Sequence, residues 1–296
     1  MANGIFVVDK PAGWTSQDVA AKLRGVFHEK RVGHGGTLDP MATGVLPIFV
    51  GRATRAAQFL ESADKEYVAG LRLGVVTDTQ DICGNVLSQQ EAHVTREALE
   101  AALAHFTGEF DQIPPMYSAV KIGGRKLYEL ARRGKEVERP ARRITIHALE
   151  VLDGADDLWT LRVHCSKGTY VRTLCHDIGA LLGCGGCMES LRRTRAGAFD
   201  LSQAVTMDSL LAYAQAHDPQ ALLMPVDALF AAHPACIVTL GQAAKLKNGA
   251  QVKDWQFQPG TYRVYAEDGE FLLLGRVEGG VLTTIKSFFE VNTLGT

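Results

Sequence analysis

Between Arg31 and Gly51 the chain reads RVGHGGTLDPMATGVLPIFVG, and one carboxylate, Asp39, sits there among glycines and small residues. Gly33, Gly35 and Gly36 permit backbone conformations closed to other residues and let a large ligand approach the main chain. Pro40 fixes φ just after the acid and restricts Asp39 to extended geometry, so the loop should present its carboxylate rigidly. The apolar run from Val45 to Val50, ended by Gly51, has a buried-strand pattern, which sets the acid at the mouth of a core. Metal cages and glycosidase pairs need two or more converging carboxylates, and no second acid lies near Asp39. A lone Asp with His34 close by suits a nucleophile or an electrostatic stabiliser. The plainer reading is an Asx-type turn in which Asp39 bonds its own backbone.

A second constellation lies in SKGTYVRTL, residues 166–174. Tyr170 and Arg172 are two apart on what reads as an extended segment, hence on one face, and Gly168 allows close approach. Taken alone, Arg172 is an exposed strand cation. Lys65 to Val75 reads as a strand in which Tyr67, Ala69, Leu71 and Leu73 alternate with Glu66, Gly70 and Arg72, so Tyr67 should face inward. An inward strand tyrosine is ordinarily a packing residue with its hydroxyl satisfied. Asp78 and Asp81 fall in a turn, where most acids cap or brace the backbone; Asp81 is a further candidate for orienting active-site groups. From Lys121 to Arg143 there are nine Lys or Arg against three Glu, with Tyr128 among them. Pairs such as Glu129 with Arg133 suit a solvated helix face but leave the surplus unexplained, which marks a phosphate-binding surface.

These residues need a scaffold. A short strand, Ile5 to Val8, leads to Lys10 and Pro11, and Ser16 is positioned to cap a helix running from Gln17 towards Phe27. Helices are expected over Ala53–Ser62, Thr95–Phe106, Leu174–Leu182 and Ala204–Ala214. Long strands are expected over Ile144–Val151 and Leu158–Cys165, with a return to strand through residues 183–199. From Cys236 the rhythm changes to short strands and turns, which need closure to hide their edges, so a small β-barrel is expected. The length of 296 residues and 46% hydrophobic content can bury a large core and a small one, while the net charge of -2 gives no global sign of nucleic-acid binding. No leader or membrane span is apparent, which suits a cytoplasmic protein. Only Cys184 and Cys187 form a C-x-x-C, and without a second pair no zinc site is expected.

The order GHGGTLDPxATGVLP closely resembles the catalytic motif of the TruB family of tRNA pseudouridine synthases. The later motifs KEYVA, SKGTYVR and MESLRRT follow at compatible spacing, with Cys187 standing where relatives usually carry His. The resemblance implies an α+β fold: a catalytic domain, residues 1–234, on a mixed, antiparallel-rich sheet with an RNA-binding insert near 112–143, and a PUA-like β-barrel at 235–296. It implies that Asp39 is the nucleophile, that Arg172 pairs with it, and that Tyr67 stacks on the target base and helps remove a proton. Tyr170 and Leu191 would pack against the nucleoside, Lys10 beneath the site, and Lys121, Arg125, Lys126, Arg132, Arg133, Arg142 and Arg143 against tRNA. The reaction would be isomerisation of uridine 55 in the T loop, with no cofactor or metal and the protein a monomer. A base inside a folded loop is unreachable unless flipped out, and His34 is the candidate wedge for its place. An adjacent Arg172 would lower the Asp39 pKa and hold it ionised. Two rival readings remain: a non-catalytic RNA-binding or tRNA-folding chaperone, and a nucleoside hydrolase, which would need a second acid in the motif.

Overall fold

A computed structural model describes residues 2–253 and 256–289. The apolar runs found in sequence become the centre of one mixed sheet of ten strands. Its order is Val205–Thr206, Gly4–Lys10, Thr43–Val50, Gly186–Ala196, Lys65–Leu73, Leu158–Cys165, Arg142–Ala155 and Gly108–Gln112. Val32–His34 pairs with Thr43–Val50, and Phe199–Asp200 with Gly186–Ala196. The contacts of Gly4–Lys10 with Val205–Thr206 and of Thr43–Val50 with Gly186–Ala196 are parallel. All other pairs are antiparallel, as expected.

The parallel junction matters most for the site, because it sets the Asp39 loop against the strand carrying Leu191 and Arg193. Gly44 makes it possible. Its φ is +99°, and a Cβ there would lie 2.2 Å from the Arg193 carbonyl oxygen. Gly44→Ala should therefore destabilise the fold by roughly 1–3 kcal/mol through backbone strain and collision. Thermal unfolding checks this, and a midpoint equal to the wild type would contradict it.

Two local expectations are corrected. Thr15, not Ser16, caps the Ser16–Val26 helix, in a capping box with Asp18. Ser16 is instead drawn to the Asp39 loop, where its Oγ accepts from the Leu38 N–H at 2.8 Å. Tyr170 and Arg172 do not share a strand face either. The chain leaves the sheet at Cys165, Gly168 turns it with φ +81°, and Val171–Leu181 is already helical with Tyr170 as its N-cap. The cause is distant: the Gln112 side chain accepts from the Tyr170 N–H at 2.8 Å and donates to its carbonyl at 3.1 Å. Arg172 thus points inward from a first helical turn, buried rather than exposed.

The last strands are Ala235–Val238, Gly260–Ala266, Phe271–Glu278 and Val281–Ser287, hydrogen-bonded in that order. Among the described residues they form an open sheet, not the expected closed barrel. Ala235–Val238 and Gly260–Ala266 are parallel, so their connection must cross over. That crossover carries the Leu240–Lys247 helix, whose Ala243 and Leu246 bury one sheet face with Val264, Leu273 and Leu282. The face is covered by a helix instead of by curling. Leu274 and Phe288 join a cluster with Ile5, Phe49 and Phe230, fastening this sheet to the larger one. The Tyr265 hydroxyl also donates to Asp227. Among the described residues, no helix is long and apolar enough to cross a membrane.

Candidate active site

The Asp39 loop is supported from below by two side chains with no access to solvent to speak of. Lys10, 0% exposed, donates from Nζ to the carbonyls of Pro11 at 2.8 Å, Pro40 at 3.3 Å and Ala42 at 2.6 Å. Burial lowers its pKa to about 8, although Asp39 opposes the fall. Arg193 spans the other side, donating to the carbonyls of Val45 at 2.7 Å, Gly36 at 3.2 Å and Thr37 at 3.5 Å. Ser16 completes the frame through Leu38. The rigidity read from glycine and proline is therefore enforced by cations that bind loop carbonyls.

Arg172 meets Asp39 along one edge of its guanidinium, with Nε 3.0 Å from Oδ2 and Nη2 donating to Oδ1 at 3.4 Å. This two-point geometry fixes the carboxylate plane as well as its distance. The same guanidinium donates to the carbonyls of Tyr117 at 2.9 Å and Thr79 at 3.2 Å, and its Nη1 lies 3.5 Å from Asp81 Oδ2. Asp81 is itself held by Thr79 Oγ1 at 2.7 Å and the Cys83 N–H at 3.1 Å. Arg172 thus ties the Asp39 loop, the Asp81 turn and the root of the basic insert to one helix start.

Arg172 pulls the Asp39 pKa down as expected, but the net shift is upward. Burial pushes its carboxyl above the usual range, Arg172 opposes this, and Asp81 adds to the rise. The adjacent cation orients the acid, but desolvation of a charged group outweighs its pull.

Tyr67 faces inward as expected, 9% exposed, and burial raises its hydroxyl pKa with Arg193 acting against it. Arg193 is its registered partner on the next strand, and Leu191 pairs with Ala69 two residues along, so all four lie on one sheet face. His34, half-buried, ends the Val32–His34 strand opposite Ile48; burial lowers its pKa, and its Nδ1 is enclosed without a hydrogen-bond partner. Tyr170 is half-buried at the helix start above Gln112.

The seven basic residues fall on the insert's surface. Lys121, Arg125 and Lys126 lie on a two-stranded hairpin, Arg132 and Arg133 follow the Leu127–Ala131 helix, and Arg142 and Arg143 open the Arg142–Ala155 strand. Lys126 and Arg132 each sit 5.5 Å from the Tyr128 ring centre. Arg143 is also 3.4 Å from Asp111.

Two residues escaped the sequence reading. Arg193 stands in LRRT, where a period of two from Leu191 is the signal that turns it inward. Gln112, buried, served only as a boundary, and nothing local marks it as the partner of Tyr170. Cys187 is buried with its thiol pushed up to about 11, an inert packing residue. No cluster of three or more His, Cys, Asp or Glu suited to a metal occurs among the described residues.

Residues 24–171 match the TruB family pseudouridylate synthase N-terminal domain, and residues 172–231 the tRNA pseudouridylate synthase B C-terminal domain. The chain is 46% identical over 282 residues to the tRNA pseudouridine synthase B of Azoarcus sp. (strain BH72), covering 95% of this chain and 93% of that protein. It is 39% identical to that of Clostridium kluyveri, covering 97% and 99%. Among solved structures it resembles a chain of a Cbf5–Nop10–Gar1 complex, with TM-score 0.74, 28% identity, and coverage of 97% of this chain and 85% of that one. A chain of an H/ACA ribonucleoprotein bound to a substrate RNA containing 2′-deoxyuridine matches with TM-score 0.73, 25% identity and the same coverage.

Proposed function

Because this chain belongs to the TruB family of pseudouridine synthases, we propose that its target is uridine 55 in the T loop of tRNA and that Asp39 is its nucleophile. Its reaction is the isomerisation of uridine to pseudouridine in tRNA. That conversion breaks the C1′–N1 bond, turns the uracil, joins C5 to C1′ and releases the C5 proton, with no redox change and so no cofactor. The observation that carries the assignment is the two-point Arg172–Asp39 pair on a loop braced by Lys10 and Arg193. A carboxylate so aimed is suited to covalent catalysis on the nucleoside.

The flipped uracil stacks on Tyr67, whose phenolic oxygen assists removal of the C5 proton; Leu191 and Tyr170 pack against the nucleoside, and His34 fills the vacated place in the loop. Lys10, fully buried, works through the loop it holds. We divide the chain into a catalytic unit, 1–234, and a C-terminal RNA-contacting unit from 235, acting as a monomer in the cytoplasm. Carbodiimide mapping of a tRNA transcript after incubation with the enzyme tests the target. A label confined to position 55 supports it, and labels at other uridines alone refute it.

The insert gives a separate expectation. Reversing the charge of Arg132, Arg133, Arg142 and Arg143 together should weaken tRNA binding and flatten its salt dependence. Each lost phosphate contact lowers the log–log slope by roughly 0.9 or somewhat less. Binding titrations over a range of salt read this directly, and an unchanged slope would make the insert an ordinary solvated face.

A further inference from the structure

Among the described residues Arg193 is the largest fully buried side chain, and its guanidinium has no carboxylate within ion-pair reach. Withdrawing a charge from water without an anion is expensive, so such a residue is retained for what it does to its neighbours. Around it, Lys10, Lys65 and His34 are groups that carry positive charge or none. The acid facing it is Tyr67, its registered cross-strand partner, and the two groups act on each other's acidity. Asp39 and Cys165 act on the Tyr67 hydroxyl too, both raising its pKa where Arg193 lowers it.

We propose that Arg193 is a positioning residue for Tyr67. Pinned to the carbonyls of Gly36, Thr37 and Val45, its guanidinium holds the Tyr67 oxygen as a hydrogen-bond acceptor and favours the anionic, proton-accepting state. The assignment rests on the reading of Tyr67 as the base. It gives the uncompensated cation a counter-ion: the phenolate. In the step itself the phenolate oxygen takes the C5 proton. The C–H electron pair re-forms the C5–C6 double bond, N1 gains a proton from solvent, and the phenol then returns its proton to solvent. No oxidant or reductant enters. Burial alone would keep the phenol protonated, and Arg193 is the group working against that. Because the same guanidinium binds the loop on both sides of Asp39, it also fixes where the two reacting side chains stand relative to each other.

A role confined to bracing the loop and a role acting through the Tyr67 oxygen separate in the pH profile. Single-turnover rates at saturating tRNA should be measured from neutral to mildly alkaline pH for wild type, Arg193→Met, Arg193→Lys, Tyr67→Phe and the double variant Tyr67→Phe with Arg193→Lys. Arg193→Met should be at least about tenfold slower near neutrality and regain ground as pH rises, its half-maximal point displaced upward by about one unit. Arg193→Lys keeps the charge without the planar fork and should fall between; it carries the test if the Met variant does not fold. In the Tyr67→Phe background, Arg193→Lys should move no pH midpoint. A loss that is the same factor at every pH would overturn the proposal and leave Arg193 as a brace for the loop. Near-normal turnover by Tyr67→Phe would sink the underlying reading of Tyr67 instead, whatever the Arg193 variants do.

Discussion

Asp39→Asn should abolish pseudouridine formation while leaving the affinity for tRNA nearly intact. The amide keeps the shape of the carboxylate and can still accept from Arg172, so the loop has no reason to move. It is neither a nucleophile nor a base at any accessible pH, and the chemical step loses the group on which it turns. Affinity survives because most of it comes from phosphate contacts far from the site. Filter binding and turnover on the same preparations check both halves, and residual turnover within about tenfold of wild type would remove Asp39 from its role. A pH consequence accompanies the result. In the proposed role Asp39 acts ionised, and burial raises its pKa above the ordinary carboxylate range. Wild-type activity should therefore be full above that raised pKa and disappear as pH falls through it, earlier on acidification than for an exposed aspartate.

Tyr67→Phe has the second largest expected effect, and it separates stacking from proton transfer. The phenyl ring keeps the stacking face, so tRNA binding should be close to normal. If the phenolic oxygen assists removal of the C5 proton, turnover should fall at least about a hundredfold, the usual scale for losing a positioned acid or base. Tyr67→Leu, which cannot stack, should in addition lose roughly 1–3 kcal/mol of base binding. The surroundings favour the larger loss: Tyr67 pairs in register with Arg193, whose charge opposes the rise that burial imposes on its hydroxyl pKa. Near-normal turnover by a folded, tRNA-competent Tyr67→Phe would leave the ring as a platform and move the search for the base to Asp39 itself.

What the sequence made legible was local. The Asp39 loop could be read because glycines and a proline constrain the backbone where they stand, and Tyr67 because strand alternation has a period of two. What depended on distant partners was not legible. Arg172 looked like a strand cation because nothing near it reveals that Gln112, 58 positions away, arrests Tyr170 and starts a helix there. Ser16 and Thr15 are equivalent as caps in sequence, and the choice is settled by Leu38, which recruits the serine. Arg193 carried no local mark for a general reason: charge implies exposure unless the register of two strands, fixed by the whole sheet, turns the side chain inward. The last strands needed cover, but helix and closure provide it equally well, and the parallel pairing that demanded a crossover is not encoded within either strand. The sign of the Asp39 shift was missed because the partner could be read from sequence and the desolvation could not.

The most direct measurement of the central claim is hydrogen release from C5 at the target. A T stem-loop RNA carrying tritiated C5 at uridine 55 alone is mixed with excess wild-type enzyme or with Asp39→Asn, and tritium in water is counted against pseudouridine formed. The expected result is near-stoichiometric release with wild type, matched by pseudouridine at position 55, and none with Asp39→Asn bound to the same RNA. Release from Asp39→Asn at a rate comparable to wild type, or no release from wild type under binding conditions, would contradict it.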